Sequence, residues 1–176
     1  MRSWKHTRRT SIPDSVCSAV ATARGIVSFA LGTDTAGSVR MPASMTGTVG
    51  VKTTAGRWSI EGISPLSPTL DTPGTLTRTV ADAALAFSVI DPATAAAPET
   101  FLNAVERADV GDFRIGVCEA FFDDCEPGIA EGVRAALAEL EAAGARLVDI
   151  TIPHLDEVDT IFRTGGLSAY EFAGFI

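Results

Sequence analysis

The segment from Gly32 to Ser38 reads Gly-Thr-Asp-Thr-Ala-Gly-Ser and has the composition of a reactive loop. Its two glycines allow a tight turn that brings several backbone N–H groups close to a serine hydroxyl. Such a cluster of amides binds an anion, either a phosphate or the oxyanion that develops when a hydroxyl attacks a carbonyl. An ordinary Gly/Thr turn without any chemistry has the same composition, so the loop alone leaves both interpretations open.

A phosphate-binding P-loop requires the pattern GxxxxGK[ST]. Gly32 and Gly37 have the required spacing, but Ser38 stands where the lysine belongs and Val39 follows it. The pattern therefore disfavours a nucleotide site, and a phosphate-binding domain stays a third hypothesis that stabilisation by nucleotide would test.

The common serine-hydrolase motifs are also incomplete. Ser38 is followed by Val39 and Arg40, which breaks the GxSxG nucleophile elbow. The two histidines, His6 and His154, lie in no motif, so a Ser-His-Asp triad has little support.

The elements around this loop can be predicted from local signals. Residues 18–24 favour a helix that Gly25 ends, and residues 26–31 (IVSFAL) predict a short buried strand leading into the loop. Residues 53–78 are rich in Gly, Pro, Ser and Thr and predict a long loop. Thr79, with Asp82 three residues later, predicts an N-cap for a helix over 80–90.

The second half of the sequence has a strand, helix, strand pattern. Residues 113–117 alternate at period two, apolar residues recur at helical spacing over 129–143, and residues 147–152 again resemble a strand. This order predicts a parallel βαβ unit, and a parallel sheet must be covered on both faces. The fold class is therefore α/β with layered architecture.

Composition limits the function. The chain has 176 residues, 46% hydrophobic and 20% charged, which corresponds to one globular domain. Its net charge of −8 disfavours nucleic acid and anionic membrane surfaces. Three cysteines without metal-ligand spacing indicate neither disulfides nor a zinc site, and we expect no metal, no cofactor and a cytoplasmic location.

Four separated blocks of the sequence are residues 32–44, 47–57, 67–74 and 78–84. Together they resemble the amidase signature family, which includes bacterial amidases, allophanate hydrolase and the A subunit of the tRNA-dependent amidotransferase. The blocks occur in family order, the resemblance is close over about residues 18–90, and it continues to the end of the chain.

The resemblance implies the hydrolysis of the C–N bond of a small linear amide. Ser38 would be the nucleophile, and the amides of Thr35, Ala36, Gly37 and Ser38 itself would form the oxyanion hole. In the family a lysine acts as base through a second serine held in a cis peptide. The implied fold is an α/β/α sandwich around a mixed, largely parallel central sheet, present here only in part.

Asp34 and Arg40 flank the nucleophile. A carboxylate and a guanidinium so close in sequence favour pairing with each other, and we expect them to fix the loop rather than to touch the substrate.

Two parts of the family mechanism have no clear counterpart. The cis-serine of the family lies about two dozen residues before the nucleophile, where this sequence has Asp14 followed by Ser15. A shift of one residue would give Ser15 the relay role, although the flanking glycines are missing. The lysines are Lys5 and Lys52, and neither matches the family's base, so we expect this chain alone to be inactive or nearly so.

The two ends of the sequence suggest that the family domain is partial. Residues 1–17 form an atypical basic leader and residues 18–176 a partial amidase signature domain, with an apolar end that suggests truncation inside an element. The alternative hypothesis is a non-catalytic remnant or interaction module. In that case a second copy or a partner chain would cover its incomplete sheet.

Overall fold

A computed structural model describes residues 14–94, 97, 99–123 and 125–174, with the backbone alone for residues 14, 15 and 94. Residues 1–13 of the leader expected over 1–17 lie outside the described residues. Its last four residues belong to a helix that begins at Asp14. The helices and strands are α1 (Asp14–Ala23), β1 (Phe29–Asp34), α2 (Arg40–Thr46), β2 (Val49–Lys52), β3 (Thr72–Thr77), α3 (Val80–Ile90), α4 (Thr100–Arg107), β4 (Arg114–Val117), α5 (Pro127–Ala142), β5 (Arg146–Asp149), α6 (Leu155–Arg163) and α7 (Gly166–Ala173).

The chain divides into two compact units. Met1–Val105 and Leu167–Ile176 form the first, and Glu106–Gly166 form the second. The Ser38 loop belongs to the first unit.

An antiparallel sheet in the order β1-β3-β2 forms the framework of the first unit. Helices α1 and α2 pack next to it, and the buried core consists of Ala19, Val39, Ala43 and Leu76. Val39 directly follows Ser38, so burial of the Val39 side chain fixes one end of the Ser38 loop.

Helix α3 packs against β2 and β3 through small buried side chains, among them Ala83 and Ala84. It begins where the sequence predicts, because the Thr79 hydroxyl accepts a hydrogen bond from the Asp82 amide at 3.0 Å. The predicted N-cap and the helix over 80–90 are both confirmed.

The second unit contains the predicted parallel pair. Strand β4 lies beside β5 in a register that runs from Arg114 opposite Arg146 to Val117 opposite Asp149. Helix α5 connects them in sequence, as parallel strands require. The βαβ order is confirmed, and so is the α/β class.

Three expectations about strands differ from the structure. Residues 72–77, predicted as loop, form the central strand β3, in which Pro73 lies opposite Thr33. Strand β1 starts at Phe29 rather than at residue 26, and its Phe29 and Leu31 are exposed rather than buried. Strand β5 ends at Asp149 rather than at residue 152. Among the described strands, β1 and β2 pair antiparallel with β3 while β4 pairs parallel with β5, so both kinds of pairing occur.

Candidate active site

Asp34, at the end of β1, organises the turn that leads into α2. Its buried carboxylate accepts hydrogen bonds from the amides of Gly37 at 2.7 Å, Val39 at 3.2 Å and Arg40 at 3.3 Å. The Arg40 guanidinium closes the turn with two further bonds, each 3.1 Å long. Burial raises the pKa of Asp34, but the bonds from Arg40 and from the amides outweigh it and leave that pKa below its usual value. A charged carboxylate therefore holds the loop.

Ser38 lies half-buried in this turn, between Gly37 and the core residue Val39. Gly37 has φ 131°, a conformation that residues with a side chain rarely adopt. Neither the hydroxyl nor the amide of Ser38 forms a hydrogen bond with any residue that the structure describes, and the same holds for the amides of Thr35 and Ala36. Among the described residues, the loop thus presents a hydroxyl and three free N–H donors.

Gly37 differs from the other three residues expected in the oxyanion hole. Its amide already donates to Asp34, and its backbone is buried. Gly37 therefore shapes the turn in this structure.

Asp71 holds the other end of the loop, and the sequence assigned it no role. Its side chain is 5% exposed and accepts the Thr35 hydroxyl on one oxygen. The other oxygen accepts the amides of Leu66 at 2.8 Å and Ser67 at 2.9 Å. Asp71 lies in the block 67–74 that carries the family resemblance, which was the only signal for it in the sequence.

Glu171 of α7 lies against the same segment. Its carboxylate accepts the hydroxyls of Ser67 and Thr69, and the Thr69 amide at 3.3 Å. The hydrogen bonds from Ser67 and Thr69 lower the pKa of Glu171. Nothing in the sequence indicated this contact, because more than a hundred residues separate the partners.

Arg57 and Trp58 lie in a different cluster. Arg57 Nε donates to Asp91 at 2.5 Å and Trp58 Nε1 donates to the same oxygen at 3.0 Å. Trp58 also packs against Phe87, with ring centroids 4.7 Å apart. The sequence left their role open, and these contacts tie the turn after β2 to the end of α3.

The residues considered for proton relay are only partly described. Asp14 and Ser15 begin α1, but their side chains lie outside the described part, as does all of Lys5. Lys52 is on β2, where its Nζ donates to the Thr53 carbonyl at 2.8 Å. No cis peptide bond occurs in the residues that the structure describes.

The described residues contain no cluster of His, Cys, Asp and Glu that could hold a metal ion. Within the same residues, every helix is too short or too polar to cross a lipid bilayer.

Comparison with known proteins identifies the family. The family model described as Amidase matches residues 15–172, which is most of the chain. The chain belongs to the amidase family.

The similarity of this amidase-family chain extends to curated relatives and to solved structures. It is 48% identical over 172 residues to a 2-amino-5-chloromuconic acid deaminase of Comamonas testosteroni, covering 97% of this chain and 36% of the relative. It is 44% identical to the A subunit of the glutamyl-tRNA(Gln) amidotransferase of Myxococcus xanthus, covering 83% of this chain and 32% of that protein.

Two solved amidase-family structures have a similar fold. The A subunit of the glutamyl-tRNA(Gln) amidotransferase of Thermotoga maritima matches with a TM-score of 0.75 and 30% identity over 89% of this chain and 36% of that one. The peptide amidase of Stenotrophomonas maltophilia matches with a TM-score of 0.66 and 34% identity over 88% of this chain and 33% of that chain. The chain therefore spans about a third of the length of the relatives it matches.

Proposed function

We propose that this chain is the nucleophile-bearing part of an amidase that hydrolyses the C–N bond of a linear amide. One observation carries the proposal: Ser38 and the free amides of Thr35 and Ala36 belong to one short loop that the buried Asp34 holds in place. A nucleophile next to prearranged N–H donors is the arrangement that acyl transfer requires.

In the proposed reaction the Ser38 oxygen attacks the amide carbonyl and loses its proton to a base. The amides of Thr35, Ala36 and Ser38 donate to the oxyanion, and removal of one such donor costs roughly 10²–10³ in rate. The Gly37 amide also donates to the oxyanion if its N–H is shared between the Asp34 carboxylate and the oxyanion. The C–N bond then breaks, the amine leaves with a proton, and water hydrolyses the acyl-serine ester.

The general base is the catalytic group for which this sequence has no recognisable counterpart. Free serine needs a general base, and in the proposed mechanism a neutral lysine, with its pKa lowered by burial, acts through a second serine. Ser15 is the proposed relay serine, while Asp14 holds the corresponding position and the chain's lysines are Lys5 and Lys52. We propose that the complete catalytic unit includes residues that these 176 do not contain.

The substrate proposed for the whole protein is a small amide. The relatives are a deaminase of an amino-muconic acid, a peptide amidase and the A subunits of amidotransferases, which have different substrates. The amidase and amidotransferase names share amide chemistry, and the deaminase name refers to loss of an amino group, so we assign the reaction class and not a particular substrate.

Labelling of the purified chain with a fluorophosphonate tests the nucleophile. The proposed oxyanion hole also stabilises attack of the Ser38 oxygen on phosphorus, which expels fluoride and leaves a phosphonylated serine, so Ser38 should react at least about tenfold faster than Ser44, which is exposed on α2. Without a base the rate should rise with pH. Ser38→Ala should abolish the label on this loop, and the control Ser44→Ala should keep it.

Two results would contradict the proposal. Equal labelling of Ser38 and Ser44 would remove the nucleophile assignment. Steady-state amide hydrolysis by the purified chain, lost in Ser38→Ala, would show that the base is present after all.

A second candidate function is that of a non-catalytic, partner-dependent module. It is favoured by the exposure of Phe29 and Leu31 on β1, which is an edge strand of its sheet. Partner dependence would agree with the amidotransferase relatives, which are by name subunits.

A further inference from the structure

We propose that Asp71 and Thr35 form a positioning pair, in which Asp71 fixes the direction of the Thr35 amide by holding the Thr35 hydroxyl. The inference deepens the proposed function and rests on it, because it concerns how the same oxyanion hole is kept in shape. Neither residue needs to touch the reacting atoms through its side chain.

The first support is the state of the Asp71 carboxylate. It is 5% exposed and forms no ion pair with any residue that the structure describes. A buried carboxylate is costly unless donors satisfy it, and the donors here are the Thr35 hydroxyl and the amides of Leu66 and Ser67. The Thr35 bond is therefore part of what allows Asp71 to be buried.

The second support is the position of the pair in the sheet. The β1/β3 register ends with Asp34 opposite Thr72, so Thr35 and Asp71 are the next residues beyond the paired strands. The side chains of these two residues bond to each other, and the Thr35 amide makes no bond within the described residues. The sheet thus holds Thr35 and leaves its N–H available.

The third support is that the two carboxylates hold opposite ends of the loop. Asp34 bonds the amides of Gly37, Val39 and Arg40, which lie around and after Ser38. Asp71 holds Thr35, which lies before it. Loss of either end would let the donors move, and displacements of about 1 Å can cost about 10²-fold in rate.

Substitutions that differ in a single group test the pair. Thr35→Val removes the hydroxyl and keeps the shape, Thr35→Ser restores the hydroxyl, and Asp71→Asn removes the charge. Thr72→Val is the control, because it makes the same change at a buried threonine whose hydroxyl donates to the Leu70 carbonyl rather than to Asp71.

The first measurement is the rate of fluorophosphonate labelling at Ser38. Thr35→Val and Asp71→Asn should each lower it by about 10- to 100-fold. Thr35→Ser should restore most of the rate, and Thr72→Val should leave it unchanged. In the double variant Thr35→Val/Asp71→Asn, the loss should be no larger than in the more affected single variant, because both remove one interaction.

The second measurement is amide hydrogen exchange, which separates this inference from the proposed function. Asp71→Asn should speed exchange at Leu66 and Ser67, whereas Thr35→Val should change the Ala36 and Ser38 amide signals. If no serine is labelled in the wild type, the assignment of Ser38 as nucleophile is wrong. The amide changes still test whether Asp71 positions Thr35. A folded Thr35→Val chain with wild-type signals at Ala36 and Ser38 overturns the pair, as does an unchanged labelling rate.

Discussion

At the scale of single residues, the first unit depends on three buried carboxylates that differ in how their charge is stabilised. Asp34 has the Arg40 guanidinium and three amides, Asp71 has only uncharged donors among its hydrogen bonds, and Asp91 has Arg57. Asp71 and Asp91 join segments that are separated in sequence, whereas Asp34 joins the end of β1 to the nearby start of α2. The pKa values of Asp34 and Asp91 both lie below the usual value of an aspartate, so acid should weaken the unit.

Asp91 gives the sharpest expectation for pH dependence. The hydrogen bond from Arg57, with smaller contributions from Trp58 and the Ala93 amide, lowers the pKa of Asp91 to about 2 against the opposing effect of burial. Because this pKa lies below its usual value of 3.8, the stabilisation is present above pH about 4 and is lost as the pH falls toward 2. Asp91→Asn should therefore be less stable than wild type at pH 6, and the difference should shrink as the pH falls from 4 to 2.

Urea unfolding midpoints at a series of pH values measure this difference. Glu61→Gln is the control, because Glu61 is exposed and its substitution should leave the midpoint nearly unchanged at every pH. A stability difference for Asp91→Asn that stayed constant down to pH 2 would contradict the assignment.

Which of these residues the sequence could reveal depends on distance along the chain. The Ser38 loop was visible because its glycines, hydroxyl and carboxylate lie within a few residues of one another. The bond between Asp71 and Thr35 spans 36 residues, and the one between Glu171 and Ser67 spans 104. Such contacts depend on strand register and helix placement, which local patterns do not specify.

At the scale of elements, α3 connects the sheet of the first unit to the contact between Arg57 and Asp91. It packs on β2 and β3 through small side chains, and its last turn lies next to the Arg57 and Asp91 contact. Its first turn depends on Thr79, whose hydroxyl accepts the Asp82 amide. The cap defines where the helix begins and thereby where its apolar positions meet the sheet.

Removal of this cap should have a measurable cost. Thr79→Ala leaves the Asp82 amide without its acceptor and should lower the free energy of unfolding by about 1 kcal/mol. Thr79→Ser keeps the hydroxyl and should lie within a few tenths of a kcal/mol of wild type. Urea unfolding of both variants at neutral pH makes the comparison, and equal destabilisation of the two would show that the methyl group, not the cap, is responsible.

Elements with periodic sequences were predictable, and elements defined by tertiary contacts were not. Helices α3 and α5 and strands β4 and β5 were confirmed because their spacing and caps are local signals. Strand β3 was missed because Pro73 and Gly74 favour a turn. Its register explains the exception: a Cβ on Gly74 would lie 2.4 Å from the Val51 carbonyl, so the close approach of β2 requires glycine there.

At the scale of the whole molecule, the chain spans about a third of the length of its amidase-family relatives, and its first unit exposes apolar side chains. An apolar groove of about 280 Å³ lies between the start of β1 and α3, lined by residues that include Phe29, Leu85 and Val89. Strand β1 also has an unpaired edge among the described strands. Apolar side chains beside an open strand edge favour association with another chain.

The last prediction is that this surface makes the chain self-associate. Val89 is 79% exposed on α3, so Val89→Glu should place a carboxylate in the apolar surface without disturbing the core. The melting temperature of the wild type should rise across a roughly hundredfold increase in protein concentration, because association stabilises the folded state. Val89→Glu should melt at a temperature that is nearly independent of concentration. The control Val158→Glu changes an exposed valine on α6 and should keep the wild-type dependence. Concentration-independent melting of the wild type would show that this surface does not bind a second copy.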